Sequence, residues 1–132
     1  DIHPIARHGE EPEEMIYKTF DEMIAMIHQM IQNDYKTTAI ICKTENDLNR
    51  LTSSLTVPFH ILDGQTEKFE AGLLVTTIQY AKGLEFDAVL VPFVDKFNYH
   101  TLYDQGLLYI ATTRAMHQLT MFIDANNKSP LL

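Results

Sequence analysis

A glycine between charged residues stands in the stretch Lys82-Gly83-Leu84-Glu85, which separates two apolar runs typical of buried strands. Gly83 permits a backbone conformation, or a close approach of another group, that a Cβ atom would forbid. The stretch follows the carboxyl end of one predicted strand, and ligands of open α/β sheets bind beyond such ends. A surface turn with a solvated Lys and Glu is the alternative, and the turn alone does not decide between the two.

Arg114 is the second residue whose position suggests chemistry. On a helical wheel of residues 107–117, with about 100° per residue, it falls in the middle of the apolar side. A guanidinium there needs a partner, because an unpaired buried charge is unfavourable. Three partners are open: solvent reached by a side chain whose stem packs on the core, a local carboxylate, or a phosphate that arrives with a ligand.

Other signatures of a self-sufficient active site are missing from the sequence. Neither G-x-x-x-x-G-K-[ST] nor G-x-G-x-x-G occurs, so no loop that cradles phosphate is predicted. The six histidines show no metal-ligand spacing with the single cysteine, and no metal site is predicted. If the chain contributes to an ATP site, it contributes half of one.

The composition indicates one packed domain. Of the 132 residues, 45% are hydrophobic and 21% are charged, which suits a folded core and disfavours disorder. There is no run of 18 apolar residues and no signal-peptide pattern, and the lone Cys42 cannot form an internal disulfide. These features predict a cytoplasmic protein with no membrane partner. Because the first residue is Asp1 rather than Met, we expect a piece of a longer protein.

The formal net charge of −8 argues against a self-sufficient nucleic-acid binder, which usually carries a basic excess. The charge is uneven, however. Residues 1–34 carry −6, whereas residues 35–132 carry only −2. The second part can therefore still line a groove that is shared with another domain.

Apolar periodicity predicts strands that alternate with helices. A helix of about 22 residues is expected from Glu11-Pro12-Glu13-Glu14 to Asp34, because proline and acids suit a helix start and 3–4 spacing follows. Strands are predicted at residues 38–43, 57–62, 73–78, 87–93 and 118–124, helices after a Thr44 cap and at residues 104–117, and a flexible tail at residues 125–132. This order favours an open, mostly parallel α/β sheet with flanking helices.

Two stretches resemble a known family. VTTIQYAKGLEFDAVLVP resembles motif V of the UvrD/Rep-type superfamily 1 DNA helicases, and LLYIATTRAMHQLTMF resembles their motif VI, in the same order. TAIICKTENDLNRL is similar to the strand–helix unit that precedes them. The resemblance implies a RecA-like fold, with residues 1–132 forming the second of two motor domains. ATP and Mg²⁺ would be bound mainly by the first, N-terminal RecA-like domain, which brings the phosphate loop and the Mg²⁺ carboxylate.

The resemblance also implies roles for nucleotide-site residues. Arg114 stands at the position of the arginine that reaches the γ-phosphate across the cleft between the domains, as an arginine finger. Glu85 stands where the family hydrogen-bonds the nucleotide ribose, and Gly83 shapes the turn. The implied activity is ATP hydrolysis that drives a helicase or translocase.

The nucleic-acid positions of the family fall on Thr76, Thr77 and Gln79, which would contact the backbone of single-stranded DNA. Gln79 stands where well-known members carry His, so the coupling between ATP state and DNA grip is expected to differ. The large subdomain that relatives insert before motif V is replaced here by DGQTEKFEAG, which is more similar to the helicase IV or HelD-like branch. Two alternatives follow: an ATPase that acts on RNA polymerase, and a degenerate RecA-like binding module without motor activity.

Overall fold

Six parallel strands form one open sheet in the part of the chain that the computed structural model describes, which is residues 11–65, 69 and 71–132. Their spatial order is β1-β6-β5-β2-β4-β3. The strands are β1 Glu13–Tyr17, β2 Thr37–Cys42, β3 His60–Leu62, β4 Gly72–Thr77, β5 Phe86–Val94 and β6 Ala115–Asp124. Every pairing is parallel, which confirms the predicted open α/β sheet of the RecA-like class.

Helices cover both faces of the sheet, which is why its strands are apolar without alternation. Leu74 and Val75 are neighbours in β4 but belong to opposite core clusters. The cluster with Val75 includes residues of the first two helices, and the cluster with Leu74 includes residues of the last two. The helices are α1 Phe20–Met30, α2 Glu45–Thr52, α3 Ile78–Ala81 and α4 Leu102–Thr112.

The long first helix predicted from Glu11 to Asp34 is wrong in its first half. Residues Glu13–Tyr17 form β1, which pairs in register with β6. Helix α1 begins only after Thr19, whose hydroxyl accepts a hydrogen bond from the Glu22 backbone N–H. The physical reason is that β6 offers an unpaired edge, and ladder hydrogen bonds to it satisfy the backbone of residues 13–17 as well as a helix would. The helix also ends at Met30, before Asp34.

The predicted Thr44 cap is confirmed, since the Thr44 hydroxyl accepts from the Asp47 N–H at the start of α2. The predicted helix at residues 104–117 starts earlier and ends at Thr112, because β6 begins at Ala115, opposite Phe86 of β5. Only His60–Leu62 of the strand predicted at residues 57–62 forms.

Residues 125–132, predicted as a flexible tail, lie packed against the domain instead. Ser129 is buried, and its hydroxyl donates to the carbonyl oxygen of Tyr99. The backbone N–H of Lys96 donates to the carbonyl of Asn127 at 2.9 Å. Leu131 packs on the core cluster of α4. These contacts fasten the end of the chain to the loop that follows β5.

Candidate functional site

The segment from Thr76 to Glu85 crosses the sheet from one edge to the other. Strand β4 ends at Thr77 on the carboxyl edge, α3 makes a single turn over Ile78–Ala81, and β5 starts at Phe86 on the amino edge. The Lys82-Gly83-Leu84-Glu85 turn therefore lies at the amino edge of the sheet, which corrects its expected place beyond the carboxyl ends. The reason is that all strands are parallel, so the chain must return across the sheet before β5 begins.

Gly83 is required for its backbone conformation rather than for a close approach. Its φ is +80°, in the left-handed region that disfavours residues with a Cβ atom. A Cβ atom built there would meet nothing within 4 Å. The turn is closed by the Leu84 N–H, which donates to the Ala81 carbonyl at 3.1 Å. Gly83 thus directs Leu84 and Glu85 towards the start of β5.

Arg114 lies in the turn between α4 and β6. The helical wheel was therefore wrong to place it on a helix. Its guanidinium is partly buried and is held by neutral acceptors. Nε donates to the Ile110 carbonyl at 3.2 Å, Nη1 to the Leu84 carbonyl at 3.3 Å, and Nη2 to the Thr113 hydroxyl at 3.3 Å. Among the described residues no carboxylate oxygen lies within 4.0 Å of it. The guanidinium is therefore positioned by hydrogen bonds while its charge stays without a local counter-ion.

The motif V turn and Arg114 are joined directly. The Leu84 carbonyl accepts from the Arg114 side chain, and the Phe86 N–H donates to the Arg114 carbonyl at 2.9 Å. Glu85 lies between these two contacts and is exposed. In the described part of the chain, Glu85 has no hydrogen-bond or ion-pair partner. The structure thus brings the Gly83 turn, which carries the exposed Glu85, into contact with Arg114 through the backbone groups of Leu84 and Phe86.

The three predicted nucleic-acid residues lie at the carboxyl end of β4, in three different settings. Thr76 is fully buried, and its hydroxyl donates to the Leu62 carbonyl at 2.7 Å. Thr77 is 4% exposed, and its hydroxyl has no hydrogen-bond partner although Thr77 stands at the cap position of α3. Gln79 is exposed. Thr76 therefore has a structural role in the core. The Thr77 hydroxyl, next to the exposed Gln79, has no hydrogen-bond partner among the described residues.

An ion pair between a partly buried lysine and a buried aspartate at the same carboxyl edge was not found by sequence reasoning. Lys43, the residue after β2, places Nζ 2.9 Å from Asp104 Oδ1 at the start of α4. Asp104 also forms a capping box with Thr101 and accepts from the His100 N–H at 3.1 Å. The Thr101-to-Asp104 spacing was the available signal for the cap. Nothing in the sequence indicated that Lys43 pairs with it, because the partners are 61 positions apart.

Burial opposes ionisation of Asp104, but the hydrogen bonds from Lys43 and from the backbone of His100 and Thr101 outweigh it. Together they hold the pKa of Asp104 well below its usual range. The ionised carboxylate therefore fastens α4 to the end of β2. Since α4 leads into the Arg114 turn, this pair anchors the helix that precedes that turn.

We expect Asp104→Asn to lower the free energy of unfolding of the 132-residue chain by about 3 kcal/mol at pH 7, because it leaves Lys43 unpaired. A carboxyl group whose pKa is lowered by folding stabilises above its unfolded pKa of about 3.9, and this contribution disappears as pH falls towards the folded value. The difference between the two proteins should therefore be constant above about pH 5 and shrink at pH 3.

Urea unfolding at pH 7, 5 and 3 measures both effects. Asp21→Asn is the matched control, an exposed acid in the first turn of α1, and should change stability by less than about 0.5 kcal/mol. An Asp104→Asn difference that stayed constant down to pH 3 would show that the carboxylate charge is not what stabilises the fold.

Comparison with known proteins places these features in a family. Residues 72–122, which include the Gly83 turn and Arg114, match the family model described as UvrD-like helicase C-terminal domain. The crystal structure of the C-terminal domain of a possible DNA helicase from Lactobacillus plantarum WCFS1 is similar over 96% of this chain and 81% of that one, with 30% identity and a TM-score of 0.83. The chain belongs to the UvrD-like helicase C-terminal domain family.

A more distant structure shares the fold of this UvrD-like domain. It is the complex of arterivirus nonstructural protein 10 (helicase) with DNA, which matches 89% of this chain and 30% of that one, with 12% identity and a TM-score of 0.56. A comparison with curated proteins returned no match. The UvrD-like domain is accordingly the C-terminal domain of a helicase, as the motif resemblance implied.

No helix among the described residues is long and apolar enough to cross a bilayer. Within the same residues, no three His, Cys, Asp or Glu side chains are grouped so that they could hold a metal ion.

Proposed function

We propose that this UvrD-like domain is the second motor domain of a superfamily 1, ATP-dependent DNA helicase or translocase, and that Arg114 is its arginine finger. The observation that carries the proposal is the setting of the guanidinium. Three neutral acceptors orient it, and no described carboxylate neutralises it. A structural arginine of that degree of burial would be expected to have an acidic partner.

The chemistry at Arg114 is charge stabilisation. During hydrolysis of ATP, negative charge spreads over the oxygens of the transferred γ-phosphoryl group, and a positioned guanidinium lowers the energy of that state. The first RecA-like domain would hold the nucleotide and Mg²⁺. The exposed Glu85 carboxylate, beside Arg114, is suited to accept hydrogen bonds from the ribose hydroxyls. Gly83 gives the turn the shape that places Glu85 there.

Single-stranded DNA is proposed to bind at the opposite, carboxyl edge. Thr77 supports this because a buried hydroxyl without a partner is unfavourable, and turning it towards a phosphate would break no internal bond. Gln79, exposed beside it, can donate to the backbone as well. Helix α3 has only four residues, so the DNA edge and the Arg114 edge are linked by one short segment. This link supports coupling between ATP state and DNA grip.

An ATPase that remodels RNA polymerase is the second candidate. Only nine residues separate β3 from β4, so the accessory subdomain that engages duplex DNA in well-known relatives has no place at this position. The third reading, a binding module without motor activity, is opposed by the presence of both Glu85 and Arg114, the two residues that the motif resemblance assigns to the nucleotide site. In each case we propose a cytoplasmic protein.

Thr77→Val tests the DNA assignment. We expect it to weaken binding of single-stranded DNA by the full-length protein roughly tenfold, since a hydrogen bond to a charged phosphate is lost. Stability should stay within about 0.5 kcal/mol or rise, because the variant removes a buried hydroxyl that has no partner. Fluorescence anisotropy with a labelled oligothymidylate measures the affinity, and urea unfolding measures the stability.

Thr76→Val is the matched control. It removes the bond to the Leu62 carbonyl, so it should lower stability by about 1–2 kcal/mol and leave DNA affinity nearly unchanged. If Thr77→Val instead destabilised the fold and bound DNA as the wild type does, Thr77 would have a structural role only.

A further inference from the structure

Four side chains meet at the amino edge of the sheet, near the two turns that carry Glu85 and Arg114. Tyr35 lies just before β2 and Thr37 begins it, Asp87 lies at the start of β5, and His117 lies at the start of β6. We call Tyr35, Thr37, Asp87 and His117 the Asp87 clamp. None of these four residues contacts nucleotide or DNA in the function proposed above.

Asp87 joins β5 to β2 through its side chain and its backbone. Its Oδ2 accepts from the Thr37 N–H at 3.0 Å and from the Thr37 hydroxyl at 3.2 Å. The Asp87 N–H donates to the Thr37 hydroxyl oxygen at 2.9 Å. Ladder pairing of the two strands starts one residue later, at Thr38 and Ala88. These bonds therefore extend the contact between β2 and β5 to the edge of the sheet.

The other carboxylate oxygen of Asp87 faces β6. Oδ1 lies 3.7 Å from His117 Nε2, which makes an ion pair when the imidazole is protonated. The imidazole also stacks on the Tyr35 ring, with the centroids 5.9 Å apart and the planes inclined by 3°. His117 is therefore held from two sides, by the first residues of β5 and by the segment that enters β2.

The start of β6 depends on such contacts because its pairing with β5 is irregular here. Phe86 pairs with Ala115 and Ala88 pairs with Gln118, so β6 advances three residues where β5 advances two. His117 lies in this irregular stretch, opposite Asp87. An extra residue of this kind disrupts the ladder and stays unpaired. Backbone pairing alone therefore does not fix the path of the chain just after Arg114.

The clamp is close in the chain to both residues of the proposed nucleotide site. Asp87 follows Glu85 by two residues, and His117 follows Arg114 by three. The Arg114 side chain reaches the Glu85 turn through one bond, from Nη1 to the Leu84 carbonyl at 3.3 Å. A bond of this length is easily lost if β6 shifts against β5. A displacement of about 1 Å can remove most of the effect of a positioned catalytic group.

We propose that Asp87 and His117 are positioning residues for ATP hydrolysis. The clamp holds the start of β6 against the start of β5, and this keeps the Arg114 guanidinium in place relative to the Glu85 turn. The proposal rests on the proposed function, since it requires Arg114 to act on a nucleotide. The Asp87 and His117 side chains are 24% and 46% exposed. Because exposed ion pairs contribute little to stability, the effect of this pair lies in the geometry of the turn.

His117→Ala in the full-length protein tests the clamp by steady-state ATPase assays with saturating single-stranded DNA. We expect kcat to fall roughly ten- to a hundredfold, because the guanidinium is displaced. The KM for ATP should change less than about twofold, since the first motor domain holds the nucleotide. The melting temperature of the 132-residue chain should fall by less than about 4 °C, which separates lost positioning from lost folding.

His60→Ala is the matched control. It removes an exposed histidine from β3, the edge strand on the other side of the sheet from β6, and should leave kcat unchanged. Asp87→Asn keeps an oxygen for Thr37 but removes the charge that faces His117. It should lower kcat in the same way as His117→Ala, and the double variant should be no slower than the slower single variant.

Combination with Arg114→Ala shows whether the clamp acts through Arg114. If it does, His117→Ala should lower kcat no further once the guanidinium is gone, because residues that act as a unit are not additive. An equal fall in both backgrounds would show that His117 acts independently of Arg114. That result would overturn the proposal.

A second readout needs no nucleotide. Arg114 Nε donates to the Ile110 carbonyl at 3.2 Å, and solvent exchange of this N–H is measurable by NMR in the 132-residue chain. We expect exchange to become roughly tenfold faster in His117→Ala and to stay unchanged in His60→Ala, since loss of the clamp opens the turn more often. Unchanged exchange in His117→Ala would contradict the clamp whatever the ATPase assays show.

The outcomes separate the clamp from the proposed function. If Arg114→Ala loses activity while His117→Ala keeps normal kcat and KM, the proposed function stands and the clamp is wrong. If Arg114→Ala keeps normal kcat, the proposed function fails, and positioning for ATP hydrolysis fails with it. Faster Arg114 exchange in His117→Ala would then still show that the contact holds the turn.

Discussion

Replacing Arg114 by alanine in the full-length protein should lower kcat for ATP hydrolysis by roughly 10³-fold or more, as loss of an arginine finger does. The fall should be largest in kcat and smaller in ATP affinity, because the contact is strongest when charge develops on the γ-phosphoryl. Arg114→Lys should recover little. A lysine ammonium could not make the three bonds to Ile110, Leu84 and Thr113 that orient the guanidinium fork.

Steady-state ATPase assays with saturating single-stranded DNA measure kcat, and nucleotide binding is measured on the same preparation. Arg50→Ala is the matched control, since Arg50 is exposed and its guanidinium lies 4.8 Å from the Phe93 ring centroid rather than at the Gly83 turn. A purely structural Arg114 predicts a different pattern. Arg114→Ala would then lower the melting temperature and leave kcat per folded molecule nearly normal, and that result would refute the finger assignment.

The β2, β4 and β5 strands could be predicted from sequence because each is apolar on both faces and is bounded by turn residues. The first helix could not be predicted correctly. Ile16 and Phe20 fit the 3–4 spacing of a helix, but Met15 and Tyr17 also fit the alternation of a strand. Ile16 is in fact 54% exposed on β1, whereas Tyr17 is buried. Only the free edge of β6, which is distant in sequence, decides between the two.

In the candidate site, too, the residues could be predicted from local sequence patterns, but the contacts between distant segments could not. Motif resemblance pointed to Arg114 and Glu85, but the helical wheel gave Arg114 the wrong local setting. The pairing of Ala115 with Phe86 starts β6 and ends the helix before Arg114. The Lys43–Asp104 pair joins two segments that no local pattern connects. Contacts of this kind depend on the order of the strands in the sheet. The sequence predicts the class of fold but not that order.

The 132-residue chain by itself should hydrolyse no ATP. Arg114 and Glu85 can contact a nucleotide that is already held, but the sequence has no loop that cradles phosphates. Without a group that positions the triphosphate and the attacking water, a guanidinium contributes little, because orientation supplies much of the rate. We therefore expect phosphate release at the rate of a blank without enzyme, with Mg²⁺ and single-stranded DNA present.

A malachite-green assay of the purified chain measures this release, with the Arg114→Ala chain as its control. Circular dichroism shows whether both chains are folded, so that inactivity is not mistaken for unfolding. Turnover well above the blank that disappears in the Arg114→Ala chain would mean that this domain binds and positions ATP alone. The ATP site would then be complete within these residues. The proposal that a first motor domain holds the nucleotide while this domain supplies Arg114 would be wrong. Equal background rates in both folded chains, together with a large loss of kcat for Arg114→Ala in the full-length protein, are what a finger that acts on another domain's nucleotide requires.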